Sequence, residues 1–377
     1  MRHFTLTLLA LAFALTTEAQ SYSETFTACA LNVDGLPIKI YGYSLNPDGP
    51  GDDGSYAIGQ YLAEKDYDLL AFSEDFNYHD TIMASLDTIY DAGTLRGIIE
   101  VTSASQLYQL ATSTLRFDTD GLEFLWRQDG FTATDESWTE WTDCHGYLSS
   151  GADSLITKGF RYYLVTFDSG FELDVFTLHM EAETSDEDNA CRASQLSQLC
   201  DSVLSYGHTD RPKLIMGDTN CRYTRDRVKA LLIDPLESSG YYEVSDAWVE
   251  LCKSGKYPTY GTTSLMVDEL GYIKGEVVDK VIYVNPVSGN QIAATSITFD
   301  ADGYVDSEGE ALGDHVPVAV TFETTPTAIR GIQADNSDEG AEVMQIFNAG
   351  GQRLSTMQKG INILRMTDGT SRKVLVK

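Results

Sequence analysis

Short apolar runs rich in β-branched and aromatic residues, each closed by turn residues, recur along the chain. They predict strands over Thr25–Val33, Asp68–Ser73, Arg161–Phe167, Phe171–His179, Lys213–Met216, Val277–Val284 and Val316–Phe322. Asp168-Ser169-Gly170 separates two of these runs and reads as a hairpin loop. Two stretches follow the helical period instead. Asn189–Ser205 brings Ala193, Leu196, Leu199, Cys200 and Leu204 towards one face, and Tyr56–Lys65 precedes a strand. Tight hairpins and longer helical crossovers on one chain predict an α/β fold of two sheets flanked by helices, rather than a purely parallel sheet.

The two ends depart from this body. Arg2 and His3 precede an apolar run from Phe4 to Leu15, and Thr17-Glu18-Ala19 follows, the layout of a signal peptide over residues 1–19. The run is shorter than the roughly 20 apolar residues that span a bilayer, so the expectation is export, to the medium or the cell surface. Residues 20–322 form the expected catalytic body. Residues 323–342 are polar and read as a linker, with Pro326, Gly331, Asp335 and Asp338. Residues 343–377 alternate short strand-like runs with turns at Gly350-Gly351 and Asp368-Gly369. Arg353, Lys359, Arg365, Arg372, Lys373 and Lys377 make this small β module basic. Its Asn348, Gly351, Gln352 and Arg353 turn and its Lys359–Ile363 strand resemble the short tails of exported Bacteroidetes-type proteins. That resemblance implies sorting or surface attachment; an added β-hairpin unit without an address function is the alternative.

Composition narrows the partners. The chain is 42% hydrophobic and 11% aromatic, enough for a sizeable core. Its 26 Lys+Arg against 57 Asp+Glu give a net charge of -31. Such a surface opposes an electrostatic grip on nucleic acid, which rests on basic residues neutralising phosphates, and favours a soluble monomer. The six cysteines have no Cys-x-x-Cys spacing, and in an exported protein the even count allows full pairing, with Cys221–Cys252 a candidate brace.

Polar residues at the ends of the predicted strands carry the chemistry. Asn32 lies at the end of the first strand, Glu74 ends the next, and His179 ends the run Leu173–Leu178. Asp218 and Asn220 follow Lys213–Met216 in Gly217-Asp218-Thr219-Asn220, and Asp314-His315 precedes Val316-Pro317. Singly, each also fits a cap or turn. Asp279, flanked by valines, is costly to bury unless partnered, and His315 is its natural partner. An oxygen pair such as Asn32 and Glu74 suits Mg²⁺. A carboxylate, an amide and an imidazole at strand ends are what metal-assisted phosphate-ester hydrolysis needs.

In this order the residues resemble the endonuclease/exonuclease/phosphatase superfamily, from about Thr25 to Phe322. Ser73 stands where that family often has glutamine, and Gly313 where it often has serine. The resemblance implies a four-layer α/β sandwich of two mixed sheets with the site at one edge. It implies Mg²⁺, one ion or two, with Mn²⁺ able to substitute, held among Asn32, Glu74, Asp218, Asn220 and Asp314. Asp218 would align or deprotonate the attacking water, and Asn220 would orient the phosphate. Asp279 would fix the tautomer of His315, which contacts a phosphate oxygen, and His179 would donate from the other side.

The substrate signal lies in Asp153-Ser154-Leu155-Ile156-Thr157-Lys158-Gly159, which resembles a segment of the neutral sphingomyelinases within that superfamily. There the aspartate and lysine belong to a loop near the site. Asp153 and Lys158 are therefore expected at the substrate, Lys158 pairing with Asp153 when idle; an ordinary loop entering the strand Arg161–Phe167 is the alternative. Aromatic residues near predicted loops, Phe131, Trp138, Trp141, Phe171, Tyr241, Tyr242, Tyr257 and Tyr260, are candidates for membrane-surface contact. The expected substrate is a phospholipid or another phosphodiester. Nucleic acid, then an inositol phosphate, are the alternatives; a binding protein without activity fits least.

Overall fold

The structure, a computed structural model, describes residues 23–35, 39–44, 49–147, 153–206, 209–262, 276–325, 343–348, 353–354, 356–366 and 371–376. The proposed signal peptide, nearly all of the proposed linker and both C-terminal turns lie outside the described residues.

Residues 23–326 form one compact unit. Its two six-stranded sheets are mixed. The first runs Gln291–Phe299, Val318–Thr325, Thr25–Asn32, Leu69–Ser73, Glu123–Arg127, Tyr90–Ala92; the second runs Tyr242–Asp246, Asp279–Pro286, Lys213–Asp218, Glu172–His179, Gly159–Phe167, Phe131–Glu140. Each sheet has one parallel pair near its centre, Thr25–Asn32 with Leu69–Ser73 and Glu172–His179 with Lys213–Asp218.

Period-two alternation builds the layers. In the first strand Phe26, Ala28 and Ala30 face the second sheet and join Tyr163, Val165 and Val175 in the core. Cys29 and Leu31 point the other way, against Ile58 and Leu62 of the helix Gly51–Lys65. On the far side, Leu196, Leu199, Cys200 and Val203 of the helix Asp186–Ser205 cover the second sheet. The result is helix, sheet, sheet, helix, the four-layer sandwich expected. That second helix begins three residues before its apolar period, because Ser185 caps it and Asp188 reciprocates in a capping box.

Two expectations are corrected here. The Cys221–Cys252 bridge is absent: all six cysteines are free thiols, Cys221 buried and Cys252 on the surface. Of the aromatics proposed for membrane contact, Phe131, Trp141, Phe171 and Tyr242 are core residues. Phe131 and Phe171 stack edge-on against Phe167, and Trp141 donates its indole N–H to the carbonyl of His179 at 2.7 Å. Tyr241 and Tyr260 are exposed. A three-stranded sheet of Lys39–Ile40, Tyr43–Ser44 and Glu100–Val101 carries further exposed rings, Tyr41 and Tyr43.

The C-terminal unit holds an antiparallel sheet in the order Arg353–Leu354, Val343–Asn348, Gly360–Met366, Ser371–Val376. Among the described residues no helix is long and apolar enough to cross a membrane.

Candidate active site

The register explains why polar residues far apart in sequence meet. Parallel partners end at one edge, so Asn32 pairs with Ser73, just before Glu74, and His179 pairs with Asp218. Antiparallel neighbours start at that edge, so Asp279, the first residue of its strand, pairs with Asp218. Asp314-His315 enters the Val318–Thr325 strand from the same edge. Ser73 stitches the two sheets there: its Oγ donates to the carbonyl of Leu178 at 3.3 Å and accepts from the N–H of Asp218 at 3.4 Å.

Backbone geometry at this edge is unusual. Glu74 and Asn220 have φ of 61° and 50°, in the left-handed region that non-glycine residues seldom enter. Such conformations cost about 1–3 kcal/mol each and cluster at functional sites. Gly217 has φ 135°, and a Cβ there would lie 2.1 Å from the carbonyl oxygen of Leu178, so only glycine permits this approach of two strands.

Asn32 donates through Nδ2 to Glu74 Oε1 at 3.0 Å and to Asp218 Oδ2 at 3.2 Å, bridging the two carboxylates. Its Oδ1 accepts from the N–H of Asp34 at 2.9 Å. In this orientation Asn32 holds the carboxylates, and liganding through Oδ1 requires its amide to turn. Asp218 Oδ1 accepts from the N–H of Asn220 at 2.8 Å, and Asn220 Nδ2 lies 3.4 Å from both Asp218 Oδ2 and His179 Nε2. His179 Nε2 is 3.5 Å from Asp218 and 3.8 Å from Glu74. Opposite, His315 Nδ1 is 2.6 Å from Asp279 Oδ2, and its Nε2 faces Asp218 at 3.8 Å. Asp314 is mostly exposed and reaches His315 Nε2 only at 3.9 Å, the rim of the cluster.

Lys158 also lies here. Its buried ammonium is ion-paired with Asp153, 3.0 Å from His179 Nε2 and 3.1 Å from the carbonyl of Met180. Other polar residues nearby separate from this group. His79 pairs with Asp75 at 2.7 Å, and Asp246 caps the helix Ala247–Lys253. Arg161 is buried against Asp120 and Glu136.

Burial and neighbouring charge set the protonation states. Burial raises Asp218, an effect His315 opposes, and raises Glu74 against Lys158 and Asn32. Burial, with Lys158 and His315 nearby, drives His179 well below the ordinary imidazole range. It is neutral, and Nε2 accepts from the Lys158 ammonium. Burial also disfavours a charged His315, but Asp279 and Asp218 outweigh it and hold this ring well above its usual value. One edge thus carries a neutral and a protonated imidazole, a lysine and several carboxylates.

The donors Glu74, Asp218 and Asn32 are all oxygens once the amide turns, the set that hard divalent cations prefer. Glu74 keeps 19% of its side chain exposed, so an ion can reach it from solvent. Asp218, Asp279 and His315 also bring ligand-type atoms within 4.8 Å of one another, although Asp279 and His315 are engaged with each other. Two clefts, of about 1110 and 750 Å³, lie beside Tyr61 and Leu312 and beside Tyr223 and Tyr257, and neither includes a member of this cluster. The converging groups mark the site.

No family model matches the chain. Over 195 residues, 52% of this chain, it is 27% identical to the sphingomyelinases of Mycobacterium bovis and Mycobacterium tuberculosis, and the match covers 36% of their length. The chain thus spans about a third of the curated relatives it matches. Among solved structures it is similar to D. rerio TDP2 complexed with a single-strand DNA product, with TM-score 0.52 and 15% identity over 79% of this chain and 98% of that one. It is also similar to an endonuclease/exonuclease/phosphatase from Bacteroides vulgatus, with TM-score 0.51 and 14% identity over 80% of this chain and 100% of that one. The chain has the endonuclease/exonuclease/phosphatase fold, and about half of it is similar in sequence to bacterial sphingomyelinases.

Proposed function

We propose that this protein is an exported hydrolase that cleaves a phosphodiester by metal-assisted attack of water, and that its substrate is a sphingomyelin-like phospholipid. The observation that carries the reading is the convergence of Asn32, Glu74, His179, Asp218, Asn220 and the Asp279–His315 pair at one edge of both sheets. Glu74 and Asp218, with Asn32 after its amide turns, would hold the ion, of which Mg²⁺ is the proposed identity and Mn²⁺ a substitute. When bound, such an ion polarises a phosphoryl oxygen and offsets developing charge.

The chain's own groups account for the rest. Asp218 aligns the attacking water and accepts its proton. Asn220 orients the phosphate. His315, held protonated by Asp279, faces the charge that builds on the phosphoryl oxygens. Lys158 rests on Asp153 and, on leaving it, would pair with the same phosphate. His179 accepts from Lys158 in the resting state; it becomes a donor from Nε2 only when Lys158 moves away and the ring proton changes nitrogen. Water adds to phosphorus, the bond to the ceramide oxygen breaks, that oxygen takes up a proton from solvent as Asp218 returns the one it accepted, and ceramide and the phosphorylated head group leave.

The similarity to sphingomyelinases and the acidic surface support a zwitterionic lipid over DNA. Exposed Tyr41, Tyr43 and Tyr108 support membrane contact. Tyr41 and Tyr43 belong to a sheet tied to the site loop, because Asn77, three residues past Glu74, bonds Ile99 in both directions and Ile99 accepts from Lys39. Nuclease activity is the second reading, favoured by the fold shared with the DNA-bound TDP2 structure. The test is phosphocholine release by the purified protein with Mg²⁺, with EDTA, and as His315→Ala. Release that survives either chelation or the substitution overturns the proposal.

A further inference from the structure

Two buried carboxylates beside the site are not used by it. Asp75 follows Glu74, and Glu123 opens the neighbouring antiparallel strand, opposite Phe72, so both side chains arrive at the same place. Their relative exposures are 1% and 0%. Asp75 Oδ1 and Glu123 Oε2 are buried and lack a hydrogen-bond partner. His79, in the short helix His79–Met83, supplies a third wall, partly open to solvent, with Nδ1 2.7 Å from Asp75 Oδ2. One donor atom from each of the three lies within 4.8 Å of the others.

This arrangement leaves two buried carboxyl oxygens without a partner. Burying a carboxylate is costly unless it is paired and hydrogen-bonded. Arg161 acts on Glu123 through space, but it is committed to Asp120 through two bonds of 2.8 Å and to Glu136 at 3.0 Å. His79 meets Asp75 through Oδ2 and leaves both Asp75 Oδ1 and Glu123 Oε2 without a partner.

We propose that Asp75, His79 and Glu123 form a second metal site, separate from the Glu74 cluster, that takes a divalent transition cation of the Zn²⁺ type. The donor chemistry selects the class: an imidazole suits Zn²⁺ and its transition-metal neighbours, and Zn²⁺ also takes Asp and Glu oxygen, whereas Mg²⁺ and Ca²⁺ prefer oxygen alone. Three protein ligands leave one place for water, which the partial exposure of His79 admits. The ion would tie the residue after Glu74 to a strand of the sheet, and so hold Glu74 in its left-handed conformation.

The test uses the full chain carrying Glu74→Gln, which disables the other site, stripped with chelator and titrated with Zn²⁺ by calorimetry, with bound metal counted by elemental analysis. One Zn²⁺ per chain is expected to persist, undisplaced by excess Mg²⁺, and its affinity to fall about tenfold or more with His79→Ala or Glu123→Gln. Zn²⁺ should also raise the melting temperature of the Glu74→Gln protein, but not after His79→Ala. Absence of binding in Glu74→Gln, or binding indifferent to His79→Ala, overturns the proposal. If Glu123→Gln does not fold, His79→Ala, at a partly exposed position, decides.

Discussion

Replacing Asp279 by asparagine separates charge from shape at the centre of the account. Asp279 is fully buried, and its Oδ2 lies 2.6 Å from His315 Nδ1. The amide oxygen of asparagine can still accept that bond, so the ring keeps an acceptor of nearly the same size. What disappears is the negative charge that, with Asp218, outweighs burial and keeps His315 protonated. A hydrogen bond to a charged group contributes about 1.5–3 kcal/mol. At about 1.4 kcal/mol per decade of rate, that is a loss of about 10- to 100-fold. If the amide presents its NH₂ to the ring instead, the wrong tautomer is imposed and the loss approaches the ~10⁴-fold limit of acid–base catalysis. The assay is phosphocholine release from sphingomyelin micelles, with kcat and KM separated and a thermal melt run alongside. The effect should fall on kcat. The double variant with His315→Ala should be no slower than His315→Ala alone, because the two residues act as one unit. A folded Asp279→Asn protein with wild-type kcat, or losses that multiply in the double variant, would refute the reasoning.

Three further outcomes follow from the same geometry. Gly217→Ala should destabilise the fold by about 2–5 kcal/mol, from an adverse φ and a Cβ against the Leu178 carbonyl; a urea midpoint at the wild-type value contradicts this. Lys158→Met leaves Asp153 buried without its cation and should cost about 3–5 kcal/mol. Adding Asp153→Asn should restore part of that loss, and a double variant no more stable than the single one counts against a buried pair. Partial burial pushes the Asp300 carboxyl up, but Lys65 and Tyr61 outweigh it and hold it below its usual 3.8. Its contribution is therefore present above the unfolded value and lost as pH falls through the lower folded one. Denaturation midpoints of Asp300→Asn and wild type should differ at neutral pH and converge in acid; a constant gap contradicts this.

Much of the site could be read from the chain because its residues sit at strand ends, where apolar runs stop and chemistry begins. Asn32, Glu74, His179, Asp218 and His315 each stand beside such a run, and strand register then brings them together. Other features leave no such trace. The strand Phe131–Glu140 is largely solvent-facing and rich in threonine and acid, so no apolar run announces it. The Ser185–Asp188 capping box was written in the sequence, but the hydrophobic period starts later and set the boundary wrongly. Ser73 read as a departure from a family pattern, whereas in space it links the two sheets. Aromatic identity does not report burial: Trp141 and Phe171 are core, while Tyr43 is 81% exposed. Nor can cysteine count alone give pairing, which depends on where each thiol is buried.

The central claim is that the clustered edge hydrolyses a lipid phosphodiester with the help of a metal ion. The most direct measurement is turnover of sphingomyelin against double-stranded DNA by the same purified protein, in Mg²⁺ and in EDTA, beside His315→Ala. The account predicts phosphocholine release that requires both the metal and His315, with DNA left intact. DNA cleavage without lipid turnover would contradict it and move the protein to the nuclease reading.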